Sequence, residues 1–153
     1  MTVVNDGAAF RKAVLGNGPV SKAITLSGAA VHQLFTVAGG EVLITALWAK
    51  CTTLMAGANT LNLQTDPTTG DTVVVVAATD LGTTDTAAGT TIGVVDESTT
   101  TPDFRKGGRV LTGLVVTTGE IETDCVGAGA DGALTWYCTW VPLTDGATLV
   151  AAA

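Results

Sequence analysis

Charge is scarce in this sequence. Only 14% of its 153 residues are Asp, Glu, Lys or Arg, against roughly 25% in ordinary soluble domains. Seven basic residues face fourteen acidic ones, for a net charge of -7. That balance excludes nucleic acid and anionic membrane surfaces as natural partners, because both attract cationic faces. His32 is the one histidine, so a nucleophile–histidine pair would have to use it, and no GxSxG motif accompanies it. Glycine is plentiful, yet GxxxxGK[ST] is missing and no GxGxxG stands between a strand and a helix, which removes the usual phosphate cradles. Cys51, Cys125 and Cys138 cannot all pair within one chain and lack metal-ligand spacing, so they read as buried free thiols of a reducing compartment. No cofactor and no metal is implied.

Long apolar runs are missing too. The longest obvious one, residues 73–78, falls far short of the ~18 residues that a spanning helix needs. Residues 1–19 carry Asn5, Asp6, Arg11 and Lys12 without a continuous apolar stretch, so they do not read as a secretory signal. With Met1 in place, the expectation is a soluble, complete product of cytoplasmic synthesis.

What is abundant is apolar and β-branched residues. Hydrophobic residues make up 46% of the chain and mean hydropathy is +0.44. A monomer of this mass exposes about 7,000 Å² by the usual scaling, which so few charged side chains cover poorly. The inference is that part of the surface is buried against partners, in a homo-oligomer or a larger assembly. The basic residues fall into groups: Arg11, Lys12 and Lys22 near the start, Lys50 alone, then Arg105, Lys106 and Arg109, with none afterwards.

Candidate strands follow one another at short intervals: 20–27, 30–37, 41–50, 60–64, 72–78, 92–95, 109–117, 120–125, 133–141 and 147–151. In 30–37, Val31, Phe35 and Val37 fall on one face. In 41–50, Val42, Ile44, Ala46 and Trp48 fall on one face, and Leu43 and Leu47 on the other, so this strand reads as central. Residues 79–91 and 96–108 read as polar surface loops. The one helical candidate is 6–15, with Asp6 as cap and Phe10 and Val14 on one face, an extended arm being the competing reading. The predicted architecture is all-β, a β-sandwich, jelly roll or small barrel over residues 20–153, preceded by an arm or short helix over 1–19.

The remaining chemistry is sparse. His32 reads as a satisfied structural or interfacial histidine on the face it shares with Leu34. Glu120 and Glu122 share a strand face and read as exposed acidic positions. Asp66, Asp71, Asp80 and Asp85 lack EF-hand spacing and read as turn residues. Trp136, Cys138 and Trp140 share one face of a strand and, with Trp48, are candidates for core or subunit interface. A carbohydrate-stacking platform is the sharper alternative for the tryptophan strand.

A family resemblance can be set beside this reading. Leu34-Phe35-Thr36-Val37, Gly40-Glu41-Val42-Leu43-Ile44, Leu61-Asn62-Leu63 before Asp66-Pro67-Thr68-Thr69-Gly70, Ala88-Gly89-Thr90 and the ending around Pro142-Leu143-Thr144-Asp145-Gly146-Ala147 resemble small virion structural proteins of tailed bacteriophages, particularly those infecting actinobacteria. The similarity spans roughly residues 30–151. It implies a β-rich, non-enzymatic subunit made in the host bacterial cytoplasm and carried on the capsid surface. Most plainly that is a decoration or cement protein, often trimeric, bound to the major capsid protein. No catalytic residue carries over. Phe10, Arg11, Lys12, Arg105, Lys106 and Arg109 are the candidate capsid-docking residues. Tail, fibre and host-glycan adhesin modules are the alternative, and the cysteines and clustered tryptophans have no family role.

Overall fold

The computed structural model describes residues 7–95 and 101–153. One helix, α1 (Gly7–Leu15), precedes eleven strands: β1 (Asn17–Thr25), β2 (Ala30–Ala38), β3 (Val42–Thr53), β4 (Thr60–Pro67), β5 (Val73–Asp80), β6 (Thr91–Val95), β7 (Asp103–Lys106), β8 (Leu114–Val116), β9 (Gly119–Cys125), β10 (Ala133–Pro142) and β11 (Thr148–Ala151). The fold is all-β with a short N-terminal helix. Asp6, the expected cap, lies outside the described residues.

The strands run in the order β1-β10-β3-β6-β7-β5-β4-β9-β2-β11, with β8 added to β3. Pairing is antiparallel except where Ala77 of β5 meets Asp103 of β7. The two ends of this path approach one another. Lys22 Nζ on β1 donates to the carbonyls of Ala152 and Ala153 just beyond β11, at 2.7 and 2.9 Å. The result is a nearly closed, flattened barrel. One half consists of β1, β10, β3, β8, β6 and β7, the other of β5, β4, β9, β2 and β11. Both contribute to one core, with Leu34, Phe35, Ile44, Leu61, Ile121 and Leu134 fully buried.

Strand β3 is interior, paired to β10 on one side and to β8 and β6 on the other, which accounts for its two apolar faces. Its alternation is not continuous, however. Thr139 pairs with Ala46 and Trp140 with Ile44, so Thr45 is an extra residue on β3. Such a bulge inverts the inward–outward sequence of everything beyond it. Val42 and Ile44 point inward, and so do Leu47, Ala49 and Cys51. Ala46 and Trp48 therefore do not share the face of Val42 and Ile44. Strand β2 repeats the device: Gln33 pairs with Glu122 and Phe35 with Ile121, leaving Leu34 over. Leu34, Phe35 and Val37 are buried while Val31 is 53% exposed, so Val31 does not join Phe35 and Val37.

Both expected loops carry structure. Within 96–108, Asp103–Lys106 pairs with β6 and buries Phe104. In 79–91, Leu81 and Thr86 are buried, and Thr86 exchanges backbone hydrogen bonds with Met55. A short polar stretch hid both, since one inward residue is enough to pin it to the core. Over 109–117, only Leu114–Val116 is a strand. Arg109 and Leu111 make single bridges to Val94 and Leu47, filling the gap where β3 and β6 diverge. Gly93 permits this, because a Cβ there would lie 2.3 Å from the Arg109 carbonyl oxygen.

Candidate functional site

Helix α1 departs from the rule that apolar residues are buried. None of its nine residues is buried; Phe10 is 64% exposed, Val14 62% and Leu15 53%. Phe10 and Val14 lie one turn apart, with Arg11 and Lys12 beside them, so the helix offers an apolar stripe flanked by cations. A nine-residue helix is marginal on its own in water. Its C-terminus is held in two ways. Gly16 ends it at φ 86° with its N–H on the Lys12 carbonyl; a Cβ at Gly16 would meet the Trp140 carbonyl oxygen at 2.4 Å. Thr45, the bulge residue of β3, donates its hydroxyl to the Leu15 carbonyl at 2.6 Å and lies 2.7 Å from the Thr139 hydroxyl. The bulge thus anchors the end of a helix whose own side chains project into solvent.

The second basic group, Arg105, Lys106 and Arg109, lies on β7 and the segment after it. Lys106 Nζ is engaged by the Thr84 and Asp85 carbonyls, while Arg105 and Arg109 are exposed. Sequence spacing grouped these three; in the fold Arg105 and Lys106 pair with Gly93 and Ile92 on one side of β6, and Arg109 bridges Val94 on its other side.

The tryptophans divide. Trp136, Cys138 and Trp140 are all buried, at 2%, 0% and 8% exposure, and Trp136 packs against Phe104 with centroids 5.7 Å apart and planes at 59°. Neither indole N–H has a hydrogen-bond partner among the described residues. A sugar platform on Trp136 and Trp140 is therefore ruled out by burial. Burial also pushes the Cys138 thiol up to about 12 and raises that of Cys51, which makes them poor nucleophiles. Trp48 is different. It pairs across β3–β10 with Tyr137 on the outer face, and the rings stack at 5.3 Å and 14°. A shallow apolar depression beside Trp48 is formed with Ile92, Gly108 and Val110.

The acidic strand β9 also departs from expectation. Ile121, Thr123 and Cys125 are buried, so Glu120, Glu122 and Asp124 face outward. Yet Glu122 is only 6% exposed and accepts a hydrogen bond from Gln64 Nε2 at 3.1 Å, while Glu120 accepts one from the Thr36 hydroxyl at 2.9 Å. These carboxylates are parts of a cross-strand polar ladder, and Glu122 is not an exposed position. His32 lies at an open cleft between β1 and β2, near Lys22 and Glu122. Its Nε2 has no hydrogen-bond partner among the described residues, so it is not the satisfied histidine expected, and partial burial lowers its pKa. Among the described residues no nucleophile engages that nitrogen.

A polar clasp went unread in the sequence. Asp131 Oδ1 accepts from the N–H groups of Ala56 and Gly57 and from Asn59 Nδ2, at 3.0, 2.9 and 2.8 Å. Asn59 Oδ1 accepts the Asp131 N–H in return. Asp80 accepts from the N–H groups of Asn59 and Gly82 and from the Thr83 hydroxyl. Hydrogen bonds to the ionised form hold both carboxyls below the usual carboxylate range, led by the Gly57 N–H for Asp131 and the Gly82 N–H for Asp80. The clasp ties three loops together at one end of the barrel. Asp80 is thus the last residue of β5, and its carboxylate fixes the turn that follows. Only the Gly-rich turn through Asp131-Gly132 hinted at Asp131, and nothing in sequence linked it to Asn59.

Among the described residues, no three His, Cys, Asp or Glu side chains are grouped closely enough to share a metal ion, and no helix is long and apolar enough to cross a membrane. No protein-family model matches the chain, and neither a curated protein nor a solved structure gives a significant match.

Proposed function

We propose that this protein is a non-enzymatic structural subunit of a tailed-phage virion: a decoration or cement protein that binds the outside of the major capsid shell as a homo-oligomer, in the simplest case a trimer. Nucleic acid and membrane play no part in this reading. The carrying observation is α1, an anchored helix with Phe10, Val14 and Leu15 exposed. Burying each of these side chains against a partner is worth about 1.5–3 kcal/mol, and repetition over many copies would stiffen a shell. Arg11 and Lys12 would set the orientation of docking on an acidic surface. Sparse charge and the resemblance to virion subunits support the same reading.

The test adds purified protein to undecorated shells of the phage that encodes it. Phe10→Ser with Val14→Ser should lower occupancy at least tenfold while leaving the melting temperature of the free protein within about 2 °C, as expected for exposed residues. Unchanged occupancy would remove α1 from the docking role.

One observation favours a second reading, as a tail or fibre module or host-glycan adhesin: the outward Trp48–Tyr137 stack. Aromatic faces of this kind stack on sugars. Quenching or shift of Trp48 fluorescence by host cell-wall glycans, lost in Trp48→Ala, would support it.

A further inference from the structure

Charge on the strands is sorted by half-barrel. Every lysine and arginine within a strand lies in the first half: Lys22, Lys50, Arg105 and Lys106. Every acidic strand residue except Asp103 lies in the second: Asp66, Asp80, Glu120, Glu122 and Asp124. The two halves enclose one core, so their outer faces point away from each other.

On the first face, the register places Lys50 outward two residues from Trp48, because Ala49 between them is buried opposite Trp136. Arg105 points outward opposite Gly93, next to buried Phe104. Trp48 lies beside Lys50 on β3 and stacks on Tyr137 of β10, on the side of β3 away from Arg105, while Val110, 43% exposed, stands near Trp48 and Ile92. On the second face, Glu120 and Asp124 flank Glu122 along β9. Val31, Val74 and Val150 stand around this acidic row, 53%, 46% and 54% exposed; they pair with Asp124, Gln64 and Thr36 respectively, all on the outer side. One face is thus aromatic with a basic margin, and the other is acidic with a valine margin.

We infer that the occupant of each face is a second copy of this chain: the Trp48–Tyr137–Lys50 face of one copy packs on the Glu120–Asp124 face of the next. Charge complementarity selects the partner, since a chain of net charge -7 would otherwise repel its copies. The apolar residues on both faces supply area that leaves water. Each copy uses two different patches, so the association is head-to-tail and either closes into a ring or continues as a column according to the angle between the faces. The inference rests on and deepens the oligomer part of the proposal above; α1 is anchored beside this face, its Leu15 carbonyl held by Thr45, which lies 2.7 Å from the Thr139 hydroxyl two residues along β10 from Tyr137.

The test is made on the free full-length protein by light scattering and sedimentation. Lys50→Glu with Arg105→Glu makes both faces acidic; Glu120→Lys with Asp124→Lys makes both basic. Each variant alone should lose self-association at least tenfold, whereas an equimolar mixture of the two should form mixed pairs through one matched interface, since a ring of three cannot alternate the variants throughout. Wild-type association should also weaken as salt rises from about 50 mM to about 500 mM, through screening of the facing charges. Should a double variant lose thermal stability, the single changes Lys50→Glu and Asp124→Lys carry the same comparison. A wild-type oligomer insensitive to either reversal, or variants that fail to complement, would overturn this interface while leaving an oligomer in place. A monomeric wild type would overturn the interface and the oligomer together. Open-ended growth with concentration would keep the interface and replace the trimer by a column. Shell occupancy by the α1 variants is read separately.

Discussion

Strand β10 and helix α1 are built from similar apolar residues and meet opposite fates. The inward side of β10 places Trp136, Cys138 and Trp140 in the core, all under 9% exposed. The helix leaves Phe10 and Val14 more than 60% exposed, a few residues away in sequence from the β1 strand that pairs with β10. An apolar residue on the inward side of a strand flanked on both sides is buried by the fold itself. One on a helix held at its C-terminus by Thr45 and Gly16 has no cover among the described residues. The difference separates residues that hold this molecule together from residues available to hold it to something else.

The sharpest break of that comparison is at its buried end. Trp136→Ala should destabilise the protein by about 3–5 kcal/mol, a transfer loss plus a cavity beside Phe104, read as a fall in melting temperature and denaturation midpoint. Trp136→Phe should recover much of it, because the indole N–H that it removes has no partner among the described residues. A Trp136→Ala protein as stable as wild type would erase the distinction between the two regions.

Next in size is the clasp. Asp80 and Asp131 have folded-state pKa values depressed below the ordinary carboxylate value of 3.8. Their stabilising effect is therefore fully present above that value and is lost as pH falls through the lower folded values. Asp131→Asn should lower the melting temperature at pH 7, by weakening the hydrogen bonds from Ala56, Gly57 and Asn59. It should also flatten the decline of stability below about pH 4, which a pH series of thermal melts would reveal. A decline as steep as that of wild type would count against the clasp.

The smallest expected effect on stability is at the exposed end. Phe10→Ser and Val14→Ser should change unfolding free energy by no more than about 0.5 kcal/mol, whatever they do to docking. A large loss would mean that α1 serves folding after all. Thiol labelling offers a finer check on the same contrast. Cys51, Cys125 and Cys138 are all buried and free and should react with a polar disulfide reagent only on unfolding.

Much of the fold can be read directly from the chain. Short β-branched runs separated by Gly and Asp turns specify an all-β protein, and β3, β9, β10 and β11 lie within two or three residues of where alternation places them. The inward face of β10 follows from spacing alone, since alternation there is unbroken. The faces of β2 and β3 do not, because a single extra residue, Leu34 or Thr45, inverts the pattern and leaves no local mark. Trp48 is the consequence: a period of two carried through Thr45 turns it inward, and the bulge turns it out against Tyr137.

Composition and local pattern determined the fold class and the scarcity of charge, and left an arm or a short helix before the strands, because these depend on residue type and near-neighbour spacing. Only the tertiary structure decided the rest. The Asp131–Asn59–Asp80 clasp, the burial of Glu122 under Gln64 and the sorting of basic and acidic strands into opposite half-barrels all join residues far apart in sequence. Which strands become neighbours is set by burial of one shared core, and no local segment contains that information.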